Sequence, residues 1–202
     1  LMQKGITPDQ TLEVNRRVKK YGIIPVFSMI IGYPTETFAE MNQTIDLALQ
    51  LKKENPQAQM DQFSQFTAFP GTPDFKLATM LGLQAPDKLE GWANWLCGDY
   101  DFEGERTPWW PKKERIWLGN ISYMSILSNA AENLAGTHRN IFLRYIGTPV
   151  AKILSAYYNW RLKKKFYKFA PELRILHHLR ARFFENDPNK KTPGKVAENE
   201  AS

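Results

Sequence analysis

The sequence predicts an α/β fold on a parallel sheet, and three observations carry that prediction. Helical and strand-like segments alternate over residues 7–82 in the order helix, strand, helix, strand, helix. Residues 23–31 are almost unbroken apolar, which is how a strand buried on both faces of a parallel sheet reads. Both strand segments end in turns containing Gly and Pro that lead straight into helix starts, the joint of a βα unit with right-handed crossovers.

Thr7-Pro8-Asp9-Gln10 opens the first helix. The threonine is placed to cap, the proline suits the first helical position, and the glutamine completes a capping box. Val14, Val18 and Tyr21 then fall on one face, the predicted apolar stripe, and Gly22 is the stop. Pro25 sits near the start of strand 23–31, where a missing donor is tolerated. Gly32-Tyr33-Pro34-Thr35 makes the turn. Thr37 and Glu40 form a second capping box, and Phe38, Met41, Ile45 and Ala48 give the second helix its stripe, which ends before Asn55-Pro56. Residues 59–67 alternate weakly through Met60, Phe63 and Phe66 and read as the second strand. Phe69-Pro70-Gly71-Thr72-Pro73 is a tight turn, and Thr72 and Pro73 open a third helix that runs to Gly82. Two strands alone do not make a stable sheet with both faces covered. The helix at 7–21 is therefore expected to follow a strand upstream of Leu1, and the chain to be the C-terminal part of a larger α/β enzyme.

The chain has 202 residues, 43% of them hydrophobic and 13% aromatic, enough for a packed core and neither disordered nor collagen-like in composition. Its one cysteine, Cys97, excludes a disulfide framework, a zinc ribbon or a complete iron–sulfur site built from this chain. A reducing, cytoplasmic compartment fits that count. No apolar run reaches 18 residues and no signal peptide is visible, so no spanning helix is expected.

The net charge of +6 hides two surfaces. Residues 139–182 hold 11 Lys/Arg against one acid, Glu172, whereas the other 158 residues hold 16 basic and 20 acidic residues. Such asymmetry marks a boundary. Residues 92–117 carry five of the six tryptophans, and a helix is expected from Pro111 to about Ala135. Basic helical segments are expected at 148–169 and 171–185, with a polar, disordered tail from Asn186. The reading divides the chain into an α/β part at 1–84, an aromatic and then basic helical extension at 85–185, and a tail at 186–202.

In parallel α/β sheets and barrels, ligands bind at the carboxyl ends of the strands. Two such ends are present, at Ile30 to Glu36 and at Thr67 to Thr72, and crossover topology puts both on one side. Gly32 and Gly71 permit close approach to the backbone, and Tyr33 and Phe69 can cover a flat ring. Ordinary turn chemistry explains the same residues, and Glu36 reads as an acid complementing a helix dipole.

The stretches Lys4-Gly5-Ile6-Thr7, Lys20-Tyr21-Gly22-Ile23-Ile24-Pro25 and Ile31-Gly32-Tyr33-Pro34-Thr35-Glu36-Thr37 resemble the radical S-adenosylmethionine superfamily. The resemblance is to its cobalamin-binding branch, which includes anaerobic magnesium-protoporphyrin monomethyl ester cyclase. Phe69-Pro70-Gly71-Thr72-Pro73 resembles the next strand-end motif of that branch, and Trp92 and Pro108-Trp109 continue the likeness loosely, over roughly residues 1–125. The resemblance implies the last two strands of a partial (β/α)6 TIM-type barrel, followed by an α-helical extension. It implies that Ile30, Gly32, Phe66 and Phe69 lie beside the adenine of S-adenosylmethionine. It also implies a [4Fe–4S] cluster and cobalamin in the parent protein, with radical methyl transfer, cyclisation or oxidation of an unidentified small molecule. The CxxxCxxC loop, the earlier strands and the cobalamin domain of the family are absent from residues 1–202. No catalytic residue and no metal ligand is therefore assigned, and the isolated chain is expected to be inactive without the N-terminal part of the same protein.

The remaining features read as structural or stay open. The tryptophan-rich stretch is expected to pack the extension onto the α/β part. Asp99, Asp101, Glu103 and Glu105 lack a calcium-loop spacing and are expected in a solvated loop. His177 and His178 are adjacent, so on a helix they diverge by about 100°; with His138 they read as ordinary, and Cys97 reads as a small buried hydrophobe. Residues 160–169 and 179–184 interleave aromatics with cations. Three readings fit them: an interfacial helix peripheral to anionic lipid, a nucleic-acid surface that no known motif supports, or a helix docking on the rest of the parent. The alternative to an enzyme part is accordingly a non-catalytic module that binds membranes or a partner through residues 139–185.

Overall fold

The structure, a computed structural model, describes residues 5–89, 91–92, 101–129 and 141–176, with side chains of all but 141–147. Its elements are α1 (Pro8–Lys20), β1 (Val26–Ile31), α2 (Phe38–Glu54), β2 (Gln59–Gln65), α3 (Pro73–Met80), α4 (Lys112–Ser128) and α5 (Ile141–Lys163). β1 and β2 pair in parallel, with Val26 opposite Gln59 and Ile31 opposite Gln65, and an irregularity between Phe27 and Met29.

The local signals set the helix starts. Both capping boxes form: the Thr7 and Thr37 hydroxyls accept from the backbone N–H of Gln10 and Glu40, whose side chains reach back to the cap N–H groups. Thr72 caps α3 by accepting from the Phe75 N–H. Met41, Ile45, Ala48 and Leu51 form the buried stripe of α2. In α1 the expected stripe is not the buried one. Leu12 and Asn15 are buried, whereas Val14 and Tyr21 are exposed. The reason is that α1 packs on α2 through a polar seam: Asn15 Nδ2 donates to the Leu51 carbonyl, and Asn55 Nδ2 donates to Asn15 Oδ1.

β1 also departs from expectation, because only one of its faces is covered. Met29 and Ile31 join Phe63 of β2 in a core shared with Met41 and Ile45 of α2, Leu118, Ile121 and Met124 of α4, and Tyr158 and Leu162 of α5. Val26, Ser28 and Ile30 alternate with them on the other face and are exposed. Helices therefore layer on one side of the sheet and the opposite side is open. One core cluster holds residues from both sides of residue 85, so the α/β part and the extension pack as one unit among the described residues.

The extension is tied down by buried polar groups. Ser125 Oγ accepts from the Phe63 N–H, Asn129 Nδ2 donates to the Met60 carbonyl, and Asn120 Nδ2 donates to the Tyr167 carbonyl. α4 ends at Ser128, short of the expected Ala135, and residues 130–140 lie outside the described part. α5 starts earlier and stops earlier than the expected 148–169. It stops because Lys165 adopts φ 55° and the chain turns back, with the Phe166 N–H donating to the Arg161 carbonyl. A helical turn at 171–176 follows; the rest of the expected helix to 185 and the tail at 186–202 lie outside the described residues.

Arg161 organises that reversal. Its side chain is 1% exposed. Nε donates to the Phe166 carbonyl, Nη2 to the Phe169 carbonyl, and Nη1 to the Glu172 carboxylate, while the guanidinium lies 5.0 Å from the Phe166 ring centre. Arg161→Met keeps the stem but orphans two carbonyls and one half-exposed carboxylate. It is expected to lower stability by about 2–3 kcal/mol, read by urea denaturation of the 202-residue chain.

Candidate functional site

β1 ends at Ile31, so the backbone groups of the next residues have no strand partner and must be satisfied by something else. Two segments supply side chains for them, and a third holds the Tyr33 side chain. Glu36 turns back from the loop before α2, and its Oε2 accepts from the N–H of Gly32 at 2.6 Å and of Tyr33 at 3.2 Å. From the segment before α4, Trp109 Nε1 donates to the Gly32 carbonyl at 3.0 Å and Trp110 Nε1 to the Tyr33 carbonyl at 3.4 Å. From α3, Asp74 accepts the Tyr33 hydroxyl proton, which links the loop after β1 to the loop after β2. That bond, with burial, pushes the Tyr33 hydroxyl up to about 12.

Gly32 is required twice over. Its φ of +85° is the left-handed region, and a Cβ there would lie 3.2 Å from Leu118 Cδ1 and 3.5 Å from Thr107 Cγ2. Thr107 is 1% exposed, and its Oγ1 is the buried side-chain polar atom that lacks a partner among the described residues. Phe66 lies 6% exposed, with its ring edge-on to Tyr33 at 4.8 Å and to Trp109 at 6.1 Å.

The four residues that the resemblance places beside an adenine thus fall into two pairs. Gly32 and Phe66 are brought together under Trp109, with the Gly32 N–H and carbonyl both engaged. Ile30 and Phe69 stay accessible at 36% and 50% exposure. Ile30 lines an open groove of about 660 Å³ together with Tyr33, Glu36, Leu12 and Leu47. Ile30 and Phe69 therefore each leave apolar surface accessible, whereas the Gly32 backbone is already engaged on both sides and fits an adenine poorly. The chain's residues do not fit an iron–sulfur cluster: the sequence has one cysteine, and no cluster of three potential metal-binding side chains occurs among the described residues.

Sequence reasoning missed the role of four residues here. Glu36 precedes the cap Thr37 and binds the preceding loop rather than the helix dipole, which is the work of Glu40. Trp109 and Trp110 pack, as expected of the aromatic stretch, but their indole N–H groups also fasten the loop. The acidic loop is not simply solvated: Asp101 is buried and accepts from the N–H groups of Glu105 and Arg106. Asp99, Cys97, His138, His177 and His178 lie outside the described residues.

Over 69 residues, 34% of its length, the chain is 39% identical to an uncharacterized methyltransferase of Pyrococcus horikoshii. The aligned stretch covers 14% of that protein, so the chain spans a small part of the relative it matches. No family model and no solved structure matches the chain. No helix among the described residues is long and apolar enough to cross a membrane.

Gly32→Ala is expected to cost about 1–2 kcal/mol in urea denaturation, because a left-handed residue gains a Cβ against Leu118. A second outcome concerns pH. Burial raises the Glu36 carboxyl above the ordinary carboxylate range, partly offset by its two N–H bonds. A carboxyl raised on folding contributes stability that is full below its unfolded pKa and is lost as pH rises through the folded value. Glu36→Gln is expected to flatten that decline when denaturation is followed from about pH 4 to about pH 8.

Proposed function

We propose that this chain forms the last two βα units of a barrel-type, S-adenosylmethionine-dependent enzyme of the radical, cobalamin-using kind, acting in methyl transfer on an unidentified small molecule. One observation carries the reading. Two strand-end loops lie at the same end of a parallel pair whose helices cover one face only, the layering of a barrel wall with its inner face open. The similarity to a methyltransferase over 69 residues supports the methyl-transfer part.

On this reading the exposed row Val26, Ser28 and Ile30 faces the barrel interior, and the unpaired edge of β1 takes a further strand from the N-terminal part of the protein. That part would carry the cluster, the cobalamin and the amino-acid contacts of S-adenosylmethionine. The cofactor supplies the radical or methyl chemistry when bound. The residues of this chain bind and shield: Ile30 and Phe69 offer apolar surface to the adenine, and the fastened Gly32–Glu36 loop fixes where that surface lies.

The full-length gene product, purified without oxygen, is expected to show the broad visible absorption of an iron–sulfur cluster and to bind S-adenosylmethionine. Ile30→Asp is expected to weaken that binding roughly tenfold, because a carboxylate replaces an apolar contact. Absence of the cluster, or unchanged binding in Ile30→Asp, would overturn the reading.

A further inference from the structure

α5 carries a second, unrelated surface. Val150, Ile153, Tyr157 and Trp160 recur at helical spacing and are 52%, 70%, 43% and 50% exposed. The opposite side of the helix is buried through Ala151, Tyr158 and Leu162. The exposed row continues past the helix end. The Tyr157 and Trp160 rings stack at 6.2 Å, Trp160 meets Phe166 at 6.4 Å, and Phe169 beyond them is 70% exposed.

Cations border this row. Lys163 and Lys164 are exposed, whereas the Lys168 ammonium lies over the Trp117 ring of α4, 4.9 Å from its centre. The single acid of residues 139–182, Glu172, is engaged by buried Arg161, so the row has no carboxylate of its own. Aromatic rings with apolar bodies and polar edges, set beside lysines on a helix too polar to span, are the composition of a face that lies in the headgroup layer. Lysine is depleted at protein–protein interfaces relative to the rest of the surface, which favours lipid over a protein partner for this row.

We propose that the Val150–Trp160 face of α5, continued by Phe166 and Phe169, docks the protein on the surface of an anionic bilayer. The apolar row enters the headgroup boundary, and Lys163 and Lys164 meet the acidic lipid. The inference stands independently of the enzyme assignment.

The test is co-sedimentation of the 202-residue chain with vesicles of phosphatidylcholine alone or with roughly one third phosphatidylglycerol. Binding is expected to the acidic vesicles, with a blue shift of tryptophan emission that Trp160→Phe diminishes. Ile153→Ser with Trp160→Ser, and separately Lys163→Glu with Lys164→Glu, are expected to lower partitioning roughly tenfold or more. The same charge change on α1, Arg17→Glu with Lys20→Glu, is expected to leave most of the binding. All six positions are exposed, and circular dichroism verifies the fold of each variant. Equal binding to both vesicle types, or unchanged binding in the α5 variants, would overturn the proposal. So would a dimer in sedimentation velocity that Ile153→Ser with Trp160→Ser dissolves, which would give the face to a second copy of the chain.

Discussion

The strand β1 stops at Ile31, and the protein must then satisfy the backbone of Gly32 and Tyr33 where no strand can reach it. Much of the architecture answers that one demand. Glu36 takes both N–H groups, and Trp109 and Trp110 donate to the two carbonyls. The first of these is four residues away, but the indoles come from 77 residues later. Glu36 fastens part of the loop locally, its own N–H also donating to the Tyr33 carbonyl, but the Gly32 carbonyl waits for Trp109, so the local βα unit and the distant helices depend on each other. Gly32 is the point at which they touch, since Leu118 of α4 fills the space a side chain would need.

This dependence explains what the sequence makes legible and what it does not. The helix starts are short-range events, each written within four residues as a cap and its partner, and Thr7, Thr37 and Thr72 perform as their neighbours predict. The first strand is legible as an apolar run and the second as a weak alternation, and their parallel pairing follows from the intervening helix. Burial is not legible in the same way. Val14 and Tyr21 carry the right period for a buried stripe, yet the seam between α1 and α2 is made by Asn15 and Asn55, polar residues whose pairing is visible only once the helices are side by side. The same holds for Glu36, whose sequence context fits a helix dipole equally well. Of the four residues that the resemblance places beside an adenine, Ile30 and Phe69 are accessible. Gly32 and Phe66 are covered by tryptophans whose packing was expected and whose hydrogen bonds were not.

The division of charge along the chain takes on a physical meaning in the structure. The basic extension meets the more acidic α/β part at the ion pair of Lys165 with Asp46, and a second exposed pair, Arg174 with Glu103, lies within the extension itself. These pairs are exposed, and exposed pairs contribute little. The attachment is made instead by groups without net charge: the Tyr167 hydroxyl on Asn42, the Phe63 N–H on Ser125, Asn129 on the Met60 carbonyl, and the Phe38 ring packed edge to face with Trp117 and Tyr167. The charge asymmetry is therefore not what holds the two parts together. Lysines at 163 and 164 are left facing water on a helix end that Arg161 has already fixed. A cation that no internal contact requires is available for an external one, and the aromatic row beside these lysines determines what kind of surface that contact would meet.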